Sequence, residues 1–199
     1  VVSATVSSYT PIGCGISDRK ESVSIGSVDE VYDKPSRESV SYLIQSDSDL
    51  HLVKAAISDQ VVGLSFVSPS VLSISTITQS FVIDLKSVNL VLHLLRQILC
   101  DSKITKVVFS LSLFLDRMLD LQEDFVHFNN LVELKSGQTR LKELVHVHLD
   151  SLHDFPTESW EYRPLSVKLQ EFSANDSFYL VKLFNILQPT KRLGFDPFE

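Results

Sequence analysis

The sequence predicts an α/β domain built on a mixed β-sheet. Three observations carry this expectation. Val61-Val62-Gly63-Leu64-Ser65-Phe66, Val71 to Ile77 and Phe81 to Leu85 are three successive strand signals, close enough together to form a meander. A helix-period stretch and a further buried strand signal follow, and this alternation suits parallel pairing. Hydrophobic residues make up 44% of the 199, enough for a substantial core in one domain with short appendages.

Taken in order, residues 1–38 are Ser-rich, with scattered Gly, Pro and charge. Val1 to Val6 and Val23 to Ile25 are β-prone, but no period is sustained, so this segment reads as an arm that orders only by packing on something else. The globular pattern starts at Ser39 and is expected to run to residue 188, with residues 189–199 as a tail. Val40 to Ile44 reads as a strand. Ser46 or Ser48 can cap the helix that follows, whose apolar positions are Leu50, Leu52, Val53, Ala56 and Ile57. In the second strand of the meander, Leu72, Ile74 and Thr76 face one way and Ser73, Ser75 and Ile77 the other. Leu90, Leu94, Leu95, Ile98 and Leu99 then line one helix face. Lys106 to Leu111 reads as a buried strand leading into a helix from about Leu113 to Leu121. Residues 128–134 and 139–149 both show helical spacing, split by Ser136-Gly137. Glu158 to Pro164 reads as a loop holding the single Trp. A last helix, from Ser166 to Leu187, is expected to break near Phe172 to Asp176.

Charge and cysteines narrow the function classes. The formal net charge of −7 disfavours tight nonspecific binding to a phosphate backbone, although it leaves room for a local basic patch. Cys14 and Cys100 are far apart; Cys100 ends an apolar helical run and is expected to be a buried thiol. They imply neither a disulfide framework nor a Cys-ligated zinc. There is no apolar run of transmembrane length and no signal-peptide pattern at the N-terminus, so the chain is expected to be intracellular, cytoplasmic or nuclear, and not bound to a membrane.

Trp160-Glu161-Tyr162-Arg163-Pro164-Leu165, Phe172-Ser173-Ala174-Asn175-Asp176 and the three-strand meander together resemble the RNase D-like 3′–5′ exonuclease domain. The resemblance spans roughly residues 40–188. It implies a ribonuclease H-like exonuclease fold, a mixed central sheet flanked by helices. Members of that family use four acids to hold two divalent metals. Two metals clamp the attacking and leaving oxygens of a phosphodiester. Magnesium gives up water reluctantly, so several carboxylates are needed to hold such a pair.

Three of the four acid positions are degenerate. The first-strand pair falls on Gly63 and Ser65. The acid that follows the later strand falls on Phe114, and Asp116 lies two residues on, about 200° round a helix. In the last motif Asp176 survives, but the tyrosine that positions the attacking water is Phe172. The chain therefore reads as a pseudonuclease: no catalytic residue, no bound metal, no cofactor.

Other groups carry little. Asp84 ends the third strand, where charged side chains commonly meet solvent. Asp116, Asp120, Glu123 and Asp124 read as a solvated helix face. Asp176 itself reads as a structural acid. His146 and His148 face different sides of a helix, His127 and His153 lie in loop-like contexts, and no histidine pair has zinc-hydrolase spacing. No nucleophile-elbow motif supports Ser/His/Asp catalysis. Trp160 reads as a loop anchor.

The resemblance also supplies the functional expectation. Noncatalytic exonuclease-like domains act as adaptors in RNA pathways, including germline small-RNA silencing and messenger localisation, and some self-associate. The expected role is thus an adaptor that binds protein partners of an RNA-processing or RNA-silencing complex, with a second copy of the chain among the candidates. One alternative is an RNA-binding pseudonuclease, with Lys103, Lys106, Arg163 and Lys168 as candidate contacts. The remaining alternative is a metal-dependent exonuclease with rearranged ligands.

Overall fold

A computed structural model describes residues 39–57, 61–120, 128–135, 138–187 and 193–195. The expected N-terminal arm, Cys14, Glu123, Asp124 and His127 lie outside them. The described strands form one mixed sheet. They are β1 (Val40–Ile44), β2 (Val61–Ser68), β3 (Val71–Ser75), β4 (Gln79–Asp84), β5 (Thr105–Val108), β6 (Phe128–Glu133) and β7 (Leu193–Phe195), in the order β1-β4-β3-β2-β5-β6-β7. β2, β3 and β4 are the antiparallel meander, whereas β1 joins β4, β5 joins β2 and β6 joins β5 in parallel. The helices are α1 (Leu50–Ala56), α2 (Val91–Cys100), α3 (Leu111–Asp120), α4 (Leu141–Leu149) and α5 (Val167–Leu187). No described helix is long and apolar enough to cross a membrane.

Alternation along the strands distributes two layers of core. Val62, Leu64, Leu72, Ile74, Phe81 and Ile83 face α1, α2 and α3 and pack with Val53, Leu95, Ile98, Leu99, Phe114 and Met118. On the other face Val107 packs with Val145 of α4 and with Leu180 and Leu183 of α5, while Val71 and Val82 pack with Leu165, Leu169 and Ala174.

Several expectations are corrected. Residues 128–133 are a strand, not a helix. Buried Phe128, Leu131 and Val132 mimic helical spacing because Asn130 has φ 50° and shifts the register against β7 between Phe128 and Leu131. Such an irregularity breaks the two-residue period of a strand. Residues 193–195, within the expected tail, pair with that strand. Cys100 is exposed rather than buried, at the last position of α2. Ser46 and Ser48 bond each other at 2.7 Å and do not cap α1, which starts from a short 3₁₀ turn.

The expected break in α5 is absent, and the helix runs through Phe172 to Asp176. Ser173, Ala174 and Ser177 are fully buried against the sheet. Short side chains there let the helix backbone approach the strands. Their hydroxyls are satisfied locally: Ser173 donates to the Leu169 carbonyl at 2.8 Å, and Ser177 bonds Ser75 at 2.6 Å. Back-bonding to the preceding turn lets serine sit inside a helix without interrupting it.

Lys106 is completely buried in β5. Its ammonium donates to the carbonyls of Asp101 and, at 2.7 Å, Asn129, and so ties the end of α2 to the start of β6. Burial pushes the group down to about 8 from 10.5, against the opposing pull of Asp101 and Cys100. Below pH 8 both folded and unfolded chains are protonated, and the penalty for burying the charge is fully felt. Above it the folded chain releases the proton first. The Lys106 contribution to stability is therefore expected to rise between pH 8 and 10.5, by at most about 1.4 kcal/mol per pH unit. Urea unfolding across that window checks this; the rise should vanish in Lys106→Met.

Candidate functional site

The C-terminal half of β2, the end of β5, α3 and α5 enclose an open cleft of about 250 Å³. Three of the four acid positions meet in it: the degenerate Ser65 and Phe114, and the surviving Asp176. Leu64, Phe66, Phe109, Leu113 and Leu141 make its walls mostly apolar. Phe114 stacks obliquely on Phe66, 5.4 Å between ring centres, so the side chain at this acid position faces the core.

Gly63 lies on the α5 side of β2. A Cβ built on it would sit 2.0 Å from the Ser177 carbonyl oxygen and 3.2 Å from Leu180 Cβ. The backbone of α5 thus fills the space that any side chain at position 63 would need. The glycine and the short residues of α5 are two sides of one packing solution.

The surviving acid is bonded through both of its oxygens. Asp176 accepts a hydrogen bond from the Ser65 hydroxyl on Oδ2 and one from the Nε2–H of His153 on Oδ1, the latter at 2.7 Å. A carboxylate can only accept, so His153 carries its proton on Nε2 in this pairing. Phe172, one helical turn before Asp176, stacks flat on the His153 ring at 4.4 Å and 2°. Tyr179 meets that ring edge-on at 5.2 Å. His153 comes from the connection between α4 and α5 and is not legible in the sequence as a site residue; its one sequence signal is that it precedes the Trp160 motif.

The structure separates the four candidate RNA-contacting cations. Lys106 is buried, as described. Arg163 is also turned inward. Its Nε and Nη2 donate to both oxygens of Asp84 at 2.6 and 2.8 Å, Nη1 donates to the carbonyls of Trp160 and Tyr162, and Nη2 also reaches the Ser70 hydroxyl. Asp84 is 0% exposed, contrary to its expected place in solvent. Burial raises its carboxyl, but Arg163, the Lys86 N–H and the Ser87 hydroxyl outweigh this and hold it below the usual carboxylate value. Lys103 and Lys168 are exposed, and Lys168 lies 4.0 Å from Glu158. None of the four lines the cleft, whose one cation is Arg117, paired at its outer edge with Asp120 at 3.2 Å.

Trp160 packs on the cluster of Val71, Val82, Leu165, Leu169 and Ala174 as a loop anchor. It also meets Phe172 and Phe155, and the Phe155 ring is 61% exposed.

A pair of divalent ions needs several carboxylates around it. The cleft offers one, with both oxygens already bonded. Asp116 does not line the cleft and is exposed. Glu133 accepts the Leu111 N–H at 2.9 Å at the start of α3. Among the described residues no group of three or more His, Cys, Asp or Glu is placed to hold a metal. This donor set does not fit a two-metal centre.

No family model matches the chain, and no curated protein matches it. Solved structures do. The EXO domain of Aedes aegypti Nibbler superposes with a TM-score of 0.64 at 15% identity, over 74% of this chain and 87% of that one. Escherichia coli RNase D, an exoribonuclease involved in structured RNA processing, gives 0.62 at 20% identity over 73% of this chain and 44% of its own. The catalytic core of Trypanosoma brucei RRP6 gives 0.60 at 21% identity over 73% and 45%. The chain spans less than half the length of these last two. The fold is that of RNase D-like 3′–5′ exonuclease domains, a ribonuclease H-like α/β arrangement.

Proposed function

We propose that this chain is a non-cleaving exonuclease-like domain that works by contact, as a protein-interaction adaptor in an RNA pathway of the small-RNA-silencing or RNA-processing kind. The observation that carries the proposal is the contact between Gly63 and α5. An acid at the first ligand position has no room beside the Ser177 carbonyl, which supports a reading without a metal pair. The inward turn of Lys106 and Arg163 supports protein rather than nucleic acid as the partner, because it withdraws two cations from any phosphate track. The pathway rests on the resemblance of the fold to RNA exonuclease domains.

Two measurements test this reading. With the chain in excess over 5′-labelled single-stranded RNA and manganese present, the RNA is expected to keep its full length. Affinity purification of the protein from its native cells is expected to enrich RNA-silencing or RNA-decay factors; enrichment of an unrelated set would remove the adaptor assignment.

A second reading, RNA held without cleavage, is favoured by one feature. The exposed Phe155 ring, packed edge-on against Phe172 at 5.2 Å, offers a face on which a base can stack. It predicts RNA affinity that falls steeply with salt and drops on Phe155→Ala. The adaptor reading predicts no measurable affinity at low salt.

A further inference from the structure

We infer that a side-chain cross-link, Ser65–Asp176–His153, has replaced cation binding as the element that holds this cleft together, and that it shuts divalent ions out. The inference rests on the non-cleaving reading of the cleft and explains why one acid is retained when its three partner positions are not.

The cross-link joins three segments distant in sequence. Ser65 comes from β2, Asp176 from α5 and His153 from the connection after α4. Both acceptor oxygens of Asp176 are used, one on each neighbour. The His153 and Asp176 side chains are 5% and 14% exposed, so a cation that reaches the carboxylate competes with these two bonds for its lone pairs. His153 cannot swing aside easily, because Phe172 covers one face of its ring and Tyr179 abuts it. The Ser65 backbone is held opposite Ser73 of β3, which fixes the position from which its hydroxyl reaches Asp176. A ligand that left would strand a buried polar partner, which is more costly than leaving an exposed one.

Two arms test this on the intact chain. In the first, manganese is titrated to millimolar concentration while the NMR signals of the His153 and Phe172 rings are followed. They are expected to stay sharp; selective paramagnetic broadening of them would overturn the inference. In the second, His153→Ala, Asp176→Ala and the double variant are unfolded in urea. Each single change is expected to lower the folding equilibrium constant by roughly 10- to 100-fold. The double variant should lose clearly less than the sum of the two single losses, because both remove the same bond. Effects that simply add would overturn the cross-link. Asp176→Asn, whose amide can still accept from His153 and donate to Ser65, should lose much less than Asp176→Ala. Neither arm involves RNA, so RNA shortening by the chain would remove the functional reading while these two results judge the cross-link separately.

Discussion

Aspartate at position 63 is expected to lower the unfolding free energy by more than about 3 kcal/mol, a large share of the ~5–15 kcal/mol typical of a domain. Two effects combine. The new Cβ meets the Ser177 carbonyl at 2.0 Å, and that atom is helix backbone, so relief requires α5 to move. The carboxylate would also be buried among helix backbone and Leu180, and a buried charge with no cation beside it is strongly unfavourable. Gly63→Ala isolates the steric part and should cost about 1–3 kcal/mol. Urea denaturation followed by circular dichroism measures both. Placing acids at both strand positions, Gly63→Asp with Ser65→Glu, is expected to yield a poorly folded chain rather than a nuclease. A Gly63→Asp variant with an unchanged midpoint would mean that α5 does not press on β2 as described.

The second large effect is expected at Arg163. Its guanidinium holds both oxygens of Asp84, which is 0% exposed, and also gathers the carbonyls of Trp160 and Tyr162. Arg163→Ala leaves a buried carboxylate unpaired and is expected to cost about 3–5 kcal/mol. Arg163→Lys should recover little, because one ammonium cannot match a two-pronged contact. The pair also fixes a pH dependence. The folded Asp84 carboxyl titrates below its ordinary value of 3.8, so the folded chain resists protonation there. This contribution is fully present above the ordinary carboxylate value and is lost as the pH falls through the lower folded value. Acid unfolding of Asp84→Asn should be correspondingly less steep. If Arg163→Ala unfolded at the same urea concentration as the parent, the residue would be free for a surface role after all.

Local patterns in the sequence reported much of the fold. The alternation of Leu72 and Ile74 with Ser73 and Ser75 placed β3, and the Trp160 to Asp176 spacing placed the cleft. What stayed hidden depends on long-range partners. Gly63 reads in sequence as a ligand that is missing; only the approach of Ser177, more than a hundred residues later, shows that it is required for packing. Arg163 resembled a surface cation because Asp84, its partner, lies 79 residues away. His153 resembled a loop histidine for the same reason: its neighbours Asp176, Phe172 and Tyr179 are all on α5. Phe128 to Leu134 resembled a helix because one left-handed residue, Asn130, reset the strand period.

The central claim is that α5 packed on Gly63, together with the bonded Asp176, leaves no seat for paired metals. Crystals soaked in manganese and measured near its absorption edge test it most directly. The account predicts no anomalous peak within coordination distance of the Asp176 carboxylate. Two ordered peaks there, bridged by side chains of this chain, would contradict it.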